Sequence, residues 1–199
     1  MRKQKHRISD RKLREIEEQD RWEKEQKRRQ QEAAREWFNT CSEYRLNDCV
    51  SVTLSFKQSI RVRKSRTAPF TLLDRGIAEK NMRHFLNVLN KKTFGNLVKK
   101  KGKKLLSIPV YEESETVRFH AHLILEKPKH KDLEEFAKLV NECWGKCYFG
   151  YKNTDIKQAR DCGWLDYILK DKTKIDGVIE AIDILNCHLG DHRLDIDVC

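Results

Sequence analysis

Two histidines, His120 and His122, stand two residues apart in the run Arg118-Phe-His-Ala-His-Leu-Ile-Leu-Glu126. The run alternates apolar with other residues, as a strand does, and side chains on a strand change face with period two. Phe119, Ala121, Leu123 and Leu125 are then expected in a core, with His120, His122 and Arg118 on the other face. Two imidazoles so placed can reach one cation. The preceding turn carries acids at Glu112, Glu113 and Glu115. A hairpin that sets Glu112 opposite His120 puts both on one face. Strict alternation, however, groups Glu112 with the apolar Leu106, Ile108 and Val110, so Glu112 calls for a bulge; Glu113, in phase with Ser107 and Tyr111, is the other candidate. Two imidazoles and a carboxylate make a borderline donor set, suited to Mn²⁺ or Mg²⁺ and able to take Zn²⁺, Co²⁺ or Ni²⁺. A histidine pair on a solvent face can also hold nothing, and the nearby acid is what argues for a metal.

A second cluster lies in Gly163-Trp-Leu-Asp-Tyr-Ile-Leu-Lys170. On a helix, Tyr167 and Lys170 are three positions apart and project from the same side. A phenol of pKa about 10 is a weak nucleophile at neutral pH. A metal-polarised phosphate and a lysine ammonium would make its attack feasible. Taken alone, Tyr-x-x-Lys on a helix is most often packing.

Around these residues the sequence predicts an α+β domain: a central antiparallel sheet with helices packed on it, preceded by a long charged N-terminal helix. Residues 1–40 form the charged arm and residues 47–199 the domain. In the arm, Asp10 to Phe38 is helical in pattern, with Glu17/Arg21, Asp20/Lys24, Glu23/Lys27 and Glu25/Arg29 as acid-first i,i+4 pairs. Val50, Val52, Leu54 and Phe56 alternate as a half-buried strand. Leu73 to Phe94 carries helical spacing that Gly95 stops, and Asp132 to Trp144 a second helix that Gly145 stops. Leu105 to Tyr111, Arg118 to Glu126 and Tyr148 to Lys157 are the other strands, and Asp161 to Lys170 a short helix.

Charge distribution points to the partner. The net charge is +11, with apolar residues at 38% and charged residues at 37%. Between Lys57 and Lys104 stand 15 basic residues against Asp74 and Glu79 alone. Two clusters dominate, one of Lys57, Arg61, Arg63, Lys64 and Arg66, the other of Lys99, Lys100, Lys101, Lys103 and Lys104. Such a one-sided segment suits a polyanion, nucleic acid before membrane surface. No apolar run of about 18 residues is present, so no membrane span is expected. The basic N-terminus lacks the apolar stretch of a secretory signal. Seven cysteines without a CxxC pair read as reduced thiols of a cytosolic protein; the rival is a zinc site on Cys143 and Cys147.

Together these features resemble the HUH endonucleases, specifically their single-tyrosine rolling-circle replication initiators of plasmids, phages and single-stranded DNA viruses. The resemblance covers roughly Cys49 to Lys170. Val52-Thr-Leu-Ser-Phe-Lys57 looks like the first family motif, His120-Ala-His122 like the His-hydrophobic-His motif, and Tyr167-Ile-Leu-Lys170 like the Tyr-x-x-Lys motif. The eight-residue step from Glu112 to His120 is similar to the carboxylate-to-histidine spacing of geminivirus initiators. The resemblance implies an HUH/RRM-like palm and a site-specific nicking and joining of single-stranded DNA that initiates replication. Mn²⁺ or Mg²⁺ would sit on Glu112, His120 and His122, Tyr167 would form a 5′-phosphotyrosine link, and Lys170 would position the site or the phosphate. It implies as partners single-stranded DNA at an origin, in some cases a hairpin, and a host helicase and polymerase in a bacterial cytoplasm. No Gly-x-x-x-x-Gly-Lys-Ser/Thr loop occurs in these residues, so unwinding would fall to that helicase.

Two other readings stand beside this one. A single-tyrosine transposase shares the motif order. A non-catalytic single-stranded DNA- or RNA-binding module would use the basic face, with Phe56, Trp144, Tyr148 and Trp164 as stacking platforms.

Overall fold

Val50, Val52, Leu54 and Phe56 lie on one face of strand β1 (Cys49–Phe56) and are almost wholly buried, as their alternation requires. The structure, a computed structural model, describes residues 48–61, 69–113, 118–159 and 181–189, with isolated positions between 12 and 36. After β1 come a short ribbon of β2 (Ser59–Arg61) and β3 (Phe70–Leu72), helix α1 (Arg75–Phe94) and the short helix α2 (Leu97–Lys101). Strands β4 (Ser107–Glu112) and β5 (His120–Glu126) follow, then helix α3 (Leu133–Gly145) and strand β6 (Gly150–Gln158).

The main sheet has the order β4-β5-β1-β6, every neighbouring pair antiparallel. Strands β1 and β4, joined through α1, are therefore parallel to each other with β5 between them. In the same way β5 and β6, joined through α3, flank β1. Two interlocked split βαβ units result.

Capping sets the helix limits. The Asp74 carboxylate accepts from the Ile77 amide at 2.7 Å, and Gly95, at φ 56°, ends α1. Asp132 and Glu135 form a capping box at the start of α3. Both helices bury one stripe, Met82, Phe85 and Leu89 from α1, and Phe136, Val140 and Trp144 from α3. These pack against Val50, Val52, Leu54 and Phe56 and against Ala121, Leu123 and Leu125 of β5. At the Phe56 end of β1 the contact is aromatic. Trp144 meets Phe56 edge-on at 4.9 Å and Phe85 at 5.4 Å, while Phe119 meets Phe56 at 5.5 Å. Burying Phe119 here fixes the rotation of β5, so that the next residue, His120, faces away from the helices.

The opposite sheet face is also buried over much of its area. Leu106, Ile108, Val110 and Ile124 are all at most 4% exposed, yet lie on the side away from α1 and α3. The segment 181–189 runs along β4. Asp183 N donates to Pro109 O, and Ser107 exchanges backbone bonds with His188, which covers what would be an open strand edge. Tyr111 donates to Asp183 at 2.8 Å, and the Arg75 guanidinium lies over the Tyr111 ring.

In the arm, every described position is helical. Glu25 bridges Arg28 and Arg29, and these guanidinium hydrogen bonds, Arg28 first, pull its carboxyl down to about 2. The predicted helix Asp161 to Lys170 lies outside the described residues.

Candidate metal centre

Register places the third candidate ligand. Glu112 pairs directly with His120 across β4 and β5, in a ladder with no bulge. The bulge that strict alternation called for is absent, because apolar residues and ligands share one buried sheet face. Glu113 falls on the other side of the alternation and is exposed.

Glu112, His120 and His122 turn their donor atoms to a common point, the one such group of three among the described residues. His122 Nε2 is 2.8 Å from Glu112 Oε2, His120 Nε2 is 3.4 Å from it, and the two Nε2 atoms are 3.2 Å apart. Donors bonded to one ion at about 2.0–2.2 Å lie about 3 Å from one another, so this triangle has the size of a single coordination sphere. The far ring nitrogens are held too. His120 Nδ1–H donates to the Arg118 carbonyl at 2.8 Å, which makes Nε2 the basic nitrogen. His122 Nδ1 lies 3.2 Å from Thr53 Oγ1, its cross-strand partner on β1. Such outer contacts orient metal-binding imidazoles. The His122 side chain is 3% exposed and that of Glu112 10%, an expensive place for a carboxylate unless positive charge meets it. The residues present fit a divalent cation.

No protein-family model, curated protein or solved structure matches the chain. The site's own chemistry therefore carries the functional argument.

The same row of residues continues across the sheet. Ser55 pairs with His120 from the β1 side, and beyond it β6 brings Tyr151 and Asn153. Opposite Leu54 and Phe56 the β6 register slips, so that Thr154 and Gly150 are their partners. A bulge of this kind re-aims side chains. Gly150 is required at the turn before it, since a Cβ there would run into the Trp144 carbonyl. A pocket of about 310 Å³ forms between Thr53, Ser55, Arg118, His120, Tyr151 and Asn153. Sequence patterning did not reveal it, because alternation along β6 does not say that this strand pairs with β1, which is what brings Tyr151 and Asn153 beside His120.

Other expected site residues are distributed unevenly. Lys57 follows the Phe56 end of β1, near the triad, with its ammonium on the Tyr148 carbonyl. Arg61 stacks over Phe70 at 4.5 Å within the ribbon. The exposed Lys99, Lys100, Lys101, Lys103 and Lys104 lead into the start of β4, whose far end holds Glu112 about 17 Å away along the strand. Arg63, Lys64, Arg66, Trp164, Tyr167 and Lys170 lie outside the described residues.

Two of the rival readings lose residues. Phe56 and Trp144 are each 1% exposed in the core and cannot stack on a base, whereas Tyr148 is 82% exposed. Cys143 and Cys147 are buried in the same core, and among the described residues no further His, Cys, Asp or Glu joins them in a group of three that could hold zinc. Among the described residues no helix is long and apolar enough to cross a membrane.

The assignment of Glu112 has a direct check. In calorimetric titration with Mn²⁺, Glu112→Gln is expected to lose most of the affinity and Glu113→Gln none. Equal affinities in the two variants would remove Glu112 from the site.

Proposed function

We propose that this chain is a metal-dependent enzyme that nicks and rejoins single-stranded DNA through a covalent tyrosine link, in the manner of single-tyrosine HUH replication initiators. The observation that carries the reading is the convergence of buried Glu112 and His122 and half-buried His120 on one point of a split βαβ sheet. A divalent ion held there supplies charge to polarise a phosphodiester. Tyr167, from the Tyr-x-x-Lys motif, attacks phosphorus through its phenol oxygen. The bond from phosphorus to the 3′-oxygen breaks, and the phenol proton is lost as the departing 3′-oxygen gains one. The strand end is left as a 5′-phosphotyrosine beside a free 3′-OH. Reversal by a 3′-OH rejoins the strand without ATP, because the link conserves the phosphodiester. Lys170 has the role of positioning the phosphate.

The central strands speak against a purely binding role. Sheets of this topology that bind RNA stack bases on aromatic residues of their strands. Here the corresponding face of β1 and β5 offers Ser51, Thr53, Ser55, His120, His122 and Ile124. A histidine pair with a buried acid is not needed by a binder.

The test is incubation with a random pool of single-stranded oligonucleotides and Mn²⁺, then a denaturing gel. A metal-dependent protein–DNA adduct is expected. If the protein binds DNA but forms no adduct with Mn²⁺ or Mg²⁺, the joining chemistry is wrong.

The basic segment gives a second measurable outcome. Replacing Lys99, Lys100, Lys101, Lys103 and Lys104 by glutamine should lower DNA affinity and flatten its dependence on salt, by about one unit of slope per lost phosphate contact. Mn²⁺ affinity should not change, given the distance along β4. An unchanged salt slope would assign DNA contact to the other basic cluster.

A further inference from the structure

We propose that the pocket beside the metal centre receives one nucleobase of the DNA strand, stacked on Tyr151, next to the phosphate handled at Glu112, His120 and His122. The inference rests on the DNA-processing reading above and names the part of the substrate that the site would grip. His120 is a wall of both the pocket and the triad, so a group in the pocket lies within one nucleotide of the metal centre. At about 310 Å³ the space is at the lower end of small-molecule pockets, which run from about 300 to 1,000 Å³. One nucleoside unit suits it and a duplex does not.

The lining chemistry is that of a base and its phosphate. Tyr151 is half-buried on β6 with the Arg118 guanidinium over its ring, 5.6 Å from the centroid; a base stacked on Tyr151 takes that place and leaves the guanidinium to its phosphate. An aromatic ring beside a guanidinium is a platform for single-stranded bases, adding stacking and cation–π attraction to phosphate contact. Ser55 and Asn153 supply a hydroxyl and an amide at the rim, able to meet a base edge. None of the described residues lining the pocket is acidic, which fits an anionic chain and not a cationic ligand. Thr53 both lines the pocket and supports His122, so the base-binding wall and the ligand support are one strand.

The experiment uses the full chain and two fluorescein-labelled octamers, one of thymidine and one of abasic residues of equal length, followed by anisotropy without metal and then with Mn²⁺. The thymidine octamer should bind more tightly than the abasic one. Tyr151→Ala should weaken the thymidine octamer by about tenfold or more and leave the abasic one unchanged. Tyr151→Phe keeps the ring and should bind as the parent does. Arg118→Ala should weaken both octamers. Equal binding of the two octamers by the parent, or an unaltered thymidine octamer with Tyr151→Ala, overturns the base pocket. Loss of the Tyr151 effect together with Mn²⁺-dependent tightening leaves the metal reading standing alone. A Tyr151 effect with no response to Mn²⁺ does the reverse. An octamer that binds under neither condition removes both.

Discussion

His120→Ala is expected to abolish Mn²⁺ binding while leaving the domain folded. The side chain of His120 is 17% exposed, against 3% for His122, so its removal opens little buried volume. Two donors remain, Glu112 and His122, and two donors are a poor cage for a labile divalent ion. The parent, with ion at 100 times Kd, should gain about 2.7 kcal/mol of stability. For a chain of this length that is a rise of about 5–10 °C in Tm. His120→Ala should show none of it. Thr53→Val ranks between the two, because the loss of an outer contact weakens metal affinity by about 10–100-fold without removing a ligand. Ranking matters more than any single value: an arrangement that merely packs the histidines predicts no Mn²⁺ response in the parent at all. Identical Tm rises in parent and His120→Ala would place any bound ion elsewhere.

How far the site could be read from sequence depended on which physical signal positioned each residue. The histidine pair was legible because period-two alternation tied it to Phe119, Ala121, Leu123 and Leu125, and the core does take those four. Glu112 was legible by position opposite His120, but its apolar strand neighbours argued against it. That objection assumed a sheet with one dry face. Ile108, Val110 and Ile124 are buried on the ligand side as well, and in a sheet buried on both faces alternation stops distinguishing core from site.

Other parts carried no periodic signal. The β2–β3 ribbon has three residues per strand, too few for alternation to be read. The segment 181–189 is held by backbone bonds to β4 and by polar side chains, with Asp183 and Asn186 buried and hydrogen-bonded to each other. Neither a helical nor a strand pattern announces such an attachment. The sequence does not say how far the lysine run stands from the metal centre. Its placement follows from β4 running away from it towards Glu112.

Tyr167→Phe is expected to eliminate the covalent DNA adduct and to leave DNA binding within about twofold, since phosphate contacts supply most of the affinity and only one oxygen is lost. The readout is the denaturing gel with Mn²⁺, beside anisotropy on the same oligonucleotides. Described tyrosines provide the alternatives that make the result decisive. Tyr111 is excluded as a nucleophile: its hydroxyl donates to the buried Asp183, and burial with that carboxylate drives its pKa far upward. Tyr148 is exposed, with its carbonyl on Lys57, and is absent from the pocket lining. Tyr151 shares the pocket wall with His120 and is the one described tyrosine beside the ligands. An adduct that survives Tyr167→Phe but vanishes in Tyr151→Phe would move the nucleophile to β6 and make the pocket a reaction chamber instead of a base pocket. An adduct that survives both substitutions would exclude both tyrosines as the sole nucleophile. Loss in Tyr167→Phe alone, with Tyr151→Phe fully active, assigns attack to the Tyr-x-x-Lys motif and leaves the Tyr151 ring for stacking.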